Sequence, residues 1–164
     1  MPIKNDPEFD LTLQKDFMDI VNELVDEILK EIQDSMIREV YSPWSPTYQR
    51  LFDNGGLFDS YIKIGAQGSS NIAGYTVEGK VDQDPMRMIN DPAHFVHGSF
   101  NYETDDVRSF LTELVVEGKS GPMFGDGFWT RPRDFYQPVI DWLDNGNFDK
   151  KVRQKMMSRG MNVI

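Results

Sequence analysis

Cysteine is absent from this chain of 164 residues, which excludes disulfide bonds and cysteine-based catalysis. The lack of cysteine fits a protein that assembles in the cytoplasm. Histidine is nearly absent as well, with two residues in all, so imidazole groups for metal binding or acid–base chemistry are scarce.

Long apolar runs are also missing, because no stretch approaches the roughly 18 residues needed to span a bilayer. The polar, acidic residues 1–8 predict that no secretory signal is present. We therefore expect no membrane partner. Basic residues number 17 against 27 acidic ones, which gives a net charge of −10. This balance argues against nucleic-acid binding over the general surface.

The composition that remains is that of a folded protein. Hydrophobic residues make up 39% of the chain and aromatic residues 12%, which excludes disorder. A chain of this length is expected to form one domain over residues 1–164 and to bury roughly 70% of its extended-chain surface.

Residues 11–40 are predicted to form one long helix of about 45 Å. Asp10 or Thr12 is expected to cap its start. Apolar side chains recur at helical spacing along one face: Leu13, Phe17, Ile20, Val21, Leu24, Val25, Ile28, Leu29, Ile32 and Met36. The other face is mostly acidic: Asp16, Asp19, Glu23, Asp26, Glu27, Glu31 and Asp34.

Strands and shorter helices are predicted after this helix. Residues 61–64, 72–81 and 93–99 are rich in β-branched and aromatic side chains, which favours strands. A second helix is expected to be capped within residues 104–106 and to end at Gly118. Two further helices are expected near the C-terminal end of the chain. The predicted class is α+β, with a long N-terminal helix, a small antiparallel β-sheet and further helices packed on the sheet.

The two histidines, His94 and His97, are three residues apart on the predicted strand at 93–99. Side chains at that spacing point to opposite faces of a strand, so a shared metal is disfavoured even with Asp91 nearby as a third ligand. Structural histidines are the favoured interpretation.

Other signs of chemistry are also weak. Lys119 follows Gly118, but a phosphate-binding loop needs a glycine six residues before the lysine, where Glu113 stands. Adjacent acids such as Asp105 and Asp106 are usually solvated or capping groups rather than catalytic pairs. We expect no metal and no organic cofactor, and none of these patterns indicates a catalytic residue.

A proline-rich segment joins the long helix to the first predicted strand. The prolines force their neighbours out of helical geometry, and aromatic rings and an arginine stand among them. Its notable residues are Tyr41, Pro43, Trp44, Pro46, Tyr48 and Arg50, followed by Gly55, Gly56, Leu57 and Ser60.

Together with two later segments, this stretch resembles the tail-completion or head–tail joining proteins of siphophage necks. Residues 95–99 are similar to the family's strand that ends in glycine and a small hydroxyl residue. Residues 131–140 are similar to the proline–aromatic start of its last core helix. The three matches span roughly residues 41–142 in the family's order, while residues 101–127 depart from it by inserting a helix and a glycine-rich loop.

The resemblance implies a structural virion protein that is assembled in the host cytoplasm and acts without catalysis. It implies a ring of this chain, six copies in the family, between the DNA-filled head and the tail. The expected neighbours are other neck proteins, namely a connector or adaptor, a tail terminator or the tail tube. DNA would pass through the lumen only as cargo.

Interface residues are expected in three places. These are the proline segment, the glycine-rich aromatic loop at 118–130 and the basic C-terminal region at 147–164. Acidic residues of the long helix are expected to face the channel, whereas the C-terminal cations are expected to face an acidic neighbouring protein. The candidates are Trp44, Tyr48, Arg50, Met123, Phe124, Phe128, Trp129, Lys150, Lys151, Arg153 and Lys155.

Two other classes compete with this hypothesis. One is a small monomeric enzyme or host-factor inhibitor, encoded by a phage or prophage and acting in the cytoplasm. The other is a nucleic-acid-binding module, which the charge disfavours except at the C-terminal helix.

Overall fold

The structure is a computed structural model, and it describes residues 7–42, 55–71, 74–88, 106, 108, 110–118 and 131–161. Helix α1 spans Pro7–Met36 and continues into a π-helical turn at Ile37–Tyr41. Strands β1 and β2 form a two-stranded antiparallel sheet. The strands span Tyr61–Asn71 and Gly74–Gln83, and the later helices are α2 (Leu111–Glu117), α3 (Tyr136–Asp144) and α4 (Asn147–Ser158).

The predicted α+β class is confirmed, and the chain is mostly helical. Two predicted helix starts are wrong. Helix α1 begins at Pro7, so Asp10 and Thr12 occupy positions within the helix and not at its start. Proline is well suited to a first helical turn. Helix α2 begins at Leu111, and Asp106 binds Arg108 through two side-chain contacts of 2.8 and 2.7 Å instead of capping the helix.

The chain divides into two compact units, and the first comprises Met1–Leu29, Lys63–Asp82 and Trp142–Ile164. In this unit the sheet lies against α1, where Ile20, Leu24 and Val25 are buried. The contact is close because Gly79 of β2 has no side chain to separate the strand from Val25. On the neighbouring strand, the Ala66 N–H donates to Asn22 Oδ1 of α1 at 2.8 Å.

The second unit comprises Lys30–Ile62 and Gln83–Asp141. Phe135 is its central side chain and is fully buried. Ser35 of α1 donates its hydroxyl to the Phe135 carbonyl at 2.8 Å, which fixes the chain just before α3. Other buried apolar side chains of this unit are Met36, Val40, Leu57, Leu114, Val115 and Val139. Among the described residues, no helix is both long and apolar enough to cross a bilayer.

Candidate interaction surface

Helix α4 joins α3 through a tight turn in which Gly146 adopts a left-handed conformation, with φ of 77°. Glycine adopts this geometry at no steric cost, so the turn ends one helix and starts the next. None of the residues of α4 is fully buried. Phe148 contacts Trp142 edge-on, with 6.3 Å between the ring centroids.

The side of α4 that faces α1 presents three cations to two carboxylates. Lys155 lies 2.9 Å from both Glu23 and Glu27, and Arg159 lies 2.6 Å from Glu23. Lys151 reaches Glu27 at 2.5 Å. We call these five residues the α1–α4 ion cluster. The partners are separated by more than 120 positions in the sequence, so the cluster is a tertiary contact.

Contacts within the ion cluster shift the pKa values of Glu23, Glu27 and Lys155. Hydrogen bonds from Arg159 and Lys155 lower the pKa of Glu23 below its ordinary value. Burial opposes ionisation of Glu27, but hydrogen bonds from Lys151 and Lys155 outweigh it and lower the pKa of that carboxyl as well. The same contacts, with Glu27 first, raise the pKa of Lys155. These shifts favour the charged forms of Glu23, Glu27 and Lys155 at neutral pH.

These contacts correct one prediction from the sequence. Lys151 and Lys155 were expected to face an acidic neighbouring protein, but their acidic neighbour is α1 of the same chain. Glu23 and Glu27, which were expected to face a channel, are likewise paired within the chain. Asp26 is paired too, with Lys63 of β1 at 2.7 Å, whereas Asp19 is exposed.

The opposite side of α4 is exposed. Lys150 and Arg153 point away from the α1–α4 ion cluster and have exposed side chains. Met157, one turn further along the same side, is 64% exposed. Of the four basic candidates from the sequence, Lys150 and Arg153 are thus the ones available to a partner.

The remaining candidates lie outside the described residues. This applies to the proline-segment residues Trp44, Tyr48 and Arg50, and to the strand predicted at 93–99 with both histidines. It also applies to the loop aromatics Met123, Phe124, Phe128 and Trp129. Among the residues that are described, no group of three or more metal-binding side chains forms. The expectations about metals, cofactors and catalysis remain predictions.

A buried polar network in the second unit was not predicted from the sequence. The hydroxyls of Tyr61 and Tyr136 bind each other, and burial is the main cause of the raised pKa of both phenols. Nearby, the Gln83 amide donates to the Ser60 hydroxyl at 3.1 Å and to the Thr112 hydroxyl at 2.6 Å. Such a network satisfies buried polar groups, and we interpret it as structural.

Neutralising the carboxylates of the ion cluster is expected to loosen α4. In the double variant Glu23→Gln/Glu27→Gln, the rate of amide hydrogen exchange in α4 should rise about fivefold. This corresponds to a loss of about 1 kcal/mol in the free energy of opening the helix, a usual size for partly exposed ion pairs. The folded-state pKa of each glutamate is lowered, so this stabilisation is present above pH 4.5 and is lost as the pH falls through the folded-state pKa values.

A matched control for this experiment is Asp34→Asn, which removes the exposed pair that Asp34 forms with Lys30 at 2.7 Å. Exchange in α4 should be unchanged in that variant. Salt near 1 M should shift exchange in the same direction, because its screening length of about 3 Å is comparable with the separation of these partly exposed charges. Equal exchange in wild type and double variant at low salt would show that apolar contacts alone hold α4.

Comparison with known proteins adds no assignment. No family model, curated protein or solved structure matches the chain. Evidence on function therefore comes from the chain's own motifs and contacts.

Proposed function

We propose that the chain is a structural component of a tailed-bacteriophage neck and joins the DNA-filled head to the tail. The observation that carries the proposal is a set of three sequence segments, spread over residues 41–142, that resemble segments of the siphophage tail-completion and head–tail joining family in the same order. Three segments in a shared order match by chance less often than any single segment of prolines and aromatic residues does.

The geometry of the last of these segments supports the proposal. Residues 131–135 run directly into α3, and Asp134 caps the helix by accepting from the N–H groups of Tyr136 and Gln137 at 2.9 and 3.1 Å. Phe135, the aromatic residue of the segment, is fully buried. A proline–aromatic start to a core helix is what the resemblance implies here.

The proposed activity is assembly through side-chain interfaces, with no catalysis and no cofactor. Copies of the chain form a closed ring, with six copies as the family implies, and the ring contacts a connector or adaptor on one side and a tail protein on the other. Each copy carries a net charge of −10, so the ring as a whole disfavours sticking of the DNA that passes through it.

Deleting the gene from the phage or prophage that encodes it tests this function. We expect filled heads and free tails in place of joined particles, with a large loss of infectivity, because the two halves would lack their joint. Electron microscopy of the lysate and a plaque count measure the outcome. Joined, infectious particles at wild-type yield would reject the proposal and favour the competing hypothesis of a small cytoplasmic enzyme or inhibitor.

Complementation separates the role of the loop from that of the fold. The variant Phe128→Ala/Trp129→Ala should fail to restore joined particles if the aromatic loop is an interface arm. A folded but inactive variant supports an interface role, whereas an unfolded variant would place these rings in the core. The wild-type gene supplied in the same way is the positive control.

A further inference from the structure

Helices α3 and α4 each expose a stripe of side chains at the same spacing. The outer stripe of α4 consists of Lys150, Arg153, Gln154 and Met157. The outer stripe of α3 consists of Gln137, Ile140, Asp141 and Asp144. In both helices the four positions follow the i, i+3, i+4, i+7 pattern, which places them along one face.

The two stripes are opposite in charge and similar in layout. The cations Lys150 and Arg153 are three residues apart, and so are the acids Asp141 and Asp144, which gives each pair a rise of about 4.5 Å. Each stripe also exposes one large apolar side chain. Met157 is 64% exposed and Ile140 is 45% exposed.

We propose that this chain associates with itself through these surfaces, with the α4 outer stripe of one copy docking antiparallel on the α3 outer stripe of the next. This register sets Lys150 opposite Asp144 and Arg153 opposite Asp141. In the same register Met157 lies opposite Gln137, less than one helical turn from Ile140. Apolar contact and two ion pairs combine in one interface.

The charges of both stripes are available for such a contact. The cations on the inner side of α4 are already bound to Glu23 and Glu27, so they do not compete for the partner's acids. On α3, the Gln137 amide donates to Asp141 at 2.7 Å, yet the Asp141 side chain remains exposed. A carboxylate has further acceptor positions, so Arg153 of another copy can bind it at the same time.

The contact joins two different surfaces, and it is therefore heterologous. Each copy offers one α4 stripe and one α3 stripe, so copies add head to tail until a ring closes or a filament grows. As the contact between ring neighbours, the interface rests on the proposed function. As self-association, it is measured on the purified chain without any phage particle.

Charge reversal tests the proposal. The variants Lys150→Glu/Arg153→Glu and Asp141→Lys/Asp144→Lys each set like charges against each other, and each should weaken self-association at least about 100-fold. Light scattering across a concentration series measures the mass. The two controls make the same changes in net charge at exposed positions elsewhere. They are Lys15→Glu/Lys80→Glu and Glu78→Lys/Glu117→Lys, and they should assemble like wild type.

Mixing the two reversed variants in equal amounts gives the decisive result. In the mixture every stripe again finds an opposite charge, so assembly should return to within about tenfold of wild type, which a merely misfolded variant could not do. A wild type that stays at 18.9 kDa at every concentration would overturn the proposal. So would a mixture that stays monomeric, or controls that lose assembly equally.

The outcome separates this inference from the proposed function. If self-association fails by these criteria while gene deletion still yields unjoined heads and tails, the neck function stands and the α3–α4 contact is wrong. If the charge swap restores association while deletion leaves joined particles, the contact stands and the neck function is wrong.

Discussion

Replacing Phe135 with alanine is expected to lower the free energy of unfolding by about 3–5 kcal/mol, the usual loss for a buried aromatic side chain. The ring is fully buried and meets Tyr61 edge-on at 5.8 Å and Tyr136 at 4.4 Å between ring centroids. Its removal leaves a cavity and uncovers the tyrosine pair that lies beside it. Urea unfolding followed by circular dichroism measures the change.

A second aromatic serves as the control for this experiment. Phe148 is half-buried on α4 and contacts Trp142 at 6.3 Å, so Phe148→Ala should cost clearly less than Phe135→Ala. A Phe135→Ala loss below about 1 kcal/mol, or one no larger than that of Phe148→Ala, would mean that Phe135 is not the centre of the second unit.

Replacing Gly79 with alanine is expected to cost about 1–3 kcal/mol, although the change adds a single methyl group. A Cβ at this position would lie 2.8 Å from Val25 Cγ2 and 3.0 Å from Val21 Cγ1. Val25 is 2% exposed and has little room to move. The strand must therefore shift away from α1 or the valines must leave their preferred rotamers. Equilibrium unfolding measures the loss.

The hairpin offers a matched glycine. At Gly65 of β1 a Cβ would meet Asn22 Oδ1 at 3.6 Å, an ordinary contact, so Gly65→Ala should be neutral or slightly stabilising. Shortening Val25 to alanine should reduce the cost of Gly79→Ala in a double-mutant cycle, because the clashing methyl is gone. Equal costs at Gly65 and Gly79, or additive effects of Val25→Ala, would contradict the close packing of β2 on α1.

Helical elements were well predicted because their signals are local. The apolar stripe of residues 11–40 is strong enough to locate α1, and Ile20, Leu24, Val25, Ile32 and Met36 are indeed buried. Gly118 ends α2 with φ of 68°, as its sequence context predicts. Errors at helix starts came from several candidate caps lying close together in the sequence.

The first strand was harder to predict because pairing with β2 overrides local propensity. Strand β1 was expected to end at residue 64, before the glycine- and serine-rich residues 65–70, which favour turns. It instead runs to Asn71, hydrogen-bonded to β2. Strand β1 tolerates glycine at position 68 because the ring of Tyr75 on the neighbouring strand covers the space that a side chain would fill.

The α1–α4 ion cluster could not be predicted from composition or periodicity. The acidic face of α1 and the basic residues of α4 were both visible, but a sequence does not show which charges meet. Proximity in the fold, set by the Gly146 turn and the packing of α4, makes Lys151, Lys155 and Glu27 neighbours. Unlike apolar burial, charge pairing has no periodic signature. The acidic partners of Lys151 and Lys155 were therefore expected on another protein.

The position of the chain within a virion tests the central claim most directly. Particles rescued in the deletion strain by an epitope-tagged copy can be labelled with gold-conjugated antibody and viewed by electron microscopy. A neck component predicts label at the junction between head and tail on most particles, and at one end of detached tails or heads. Label on no particle, with the tagged chain recovered only from the lysate supernatant, would contradict the account.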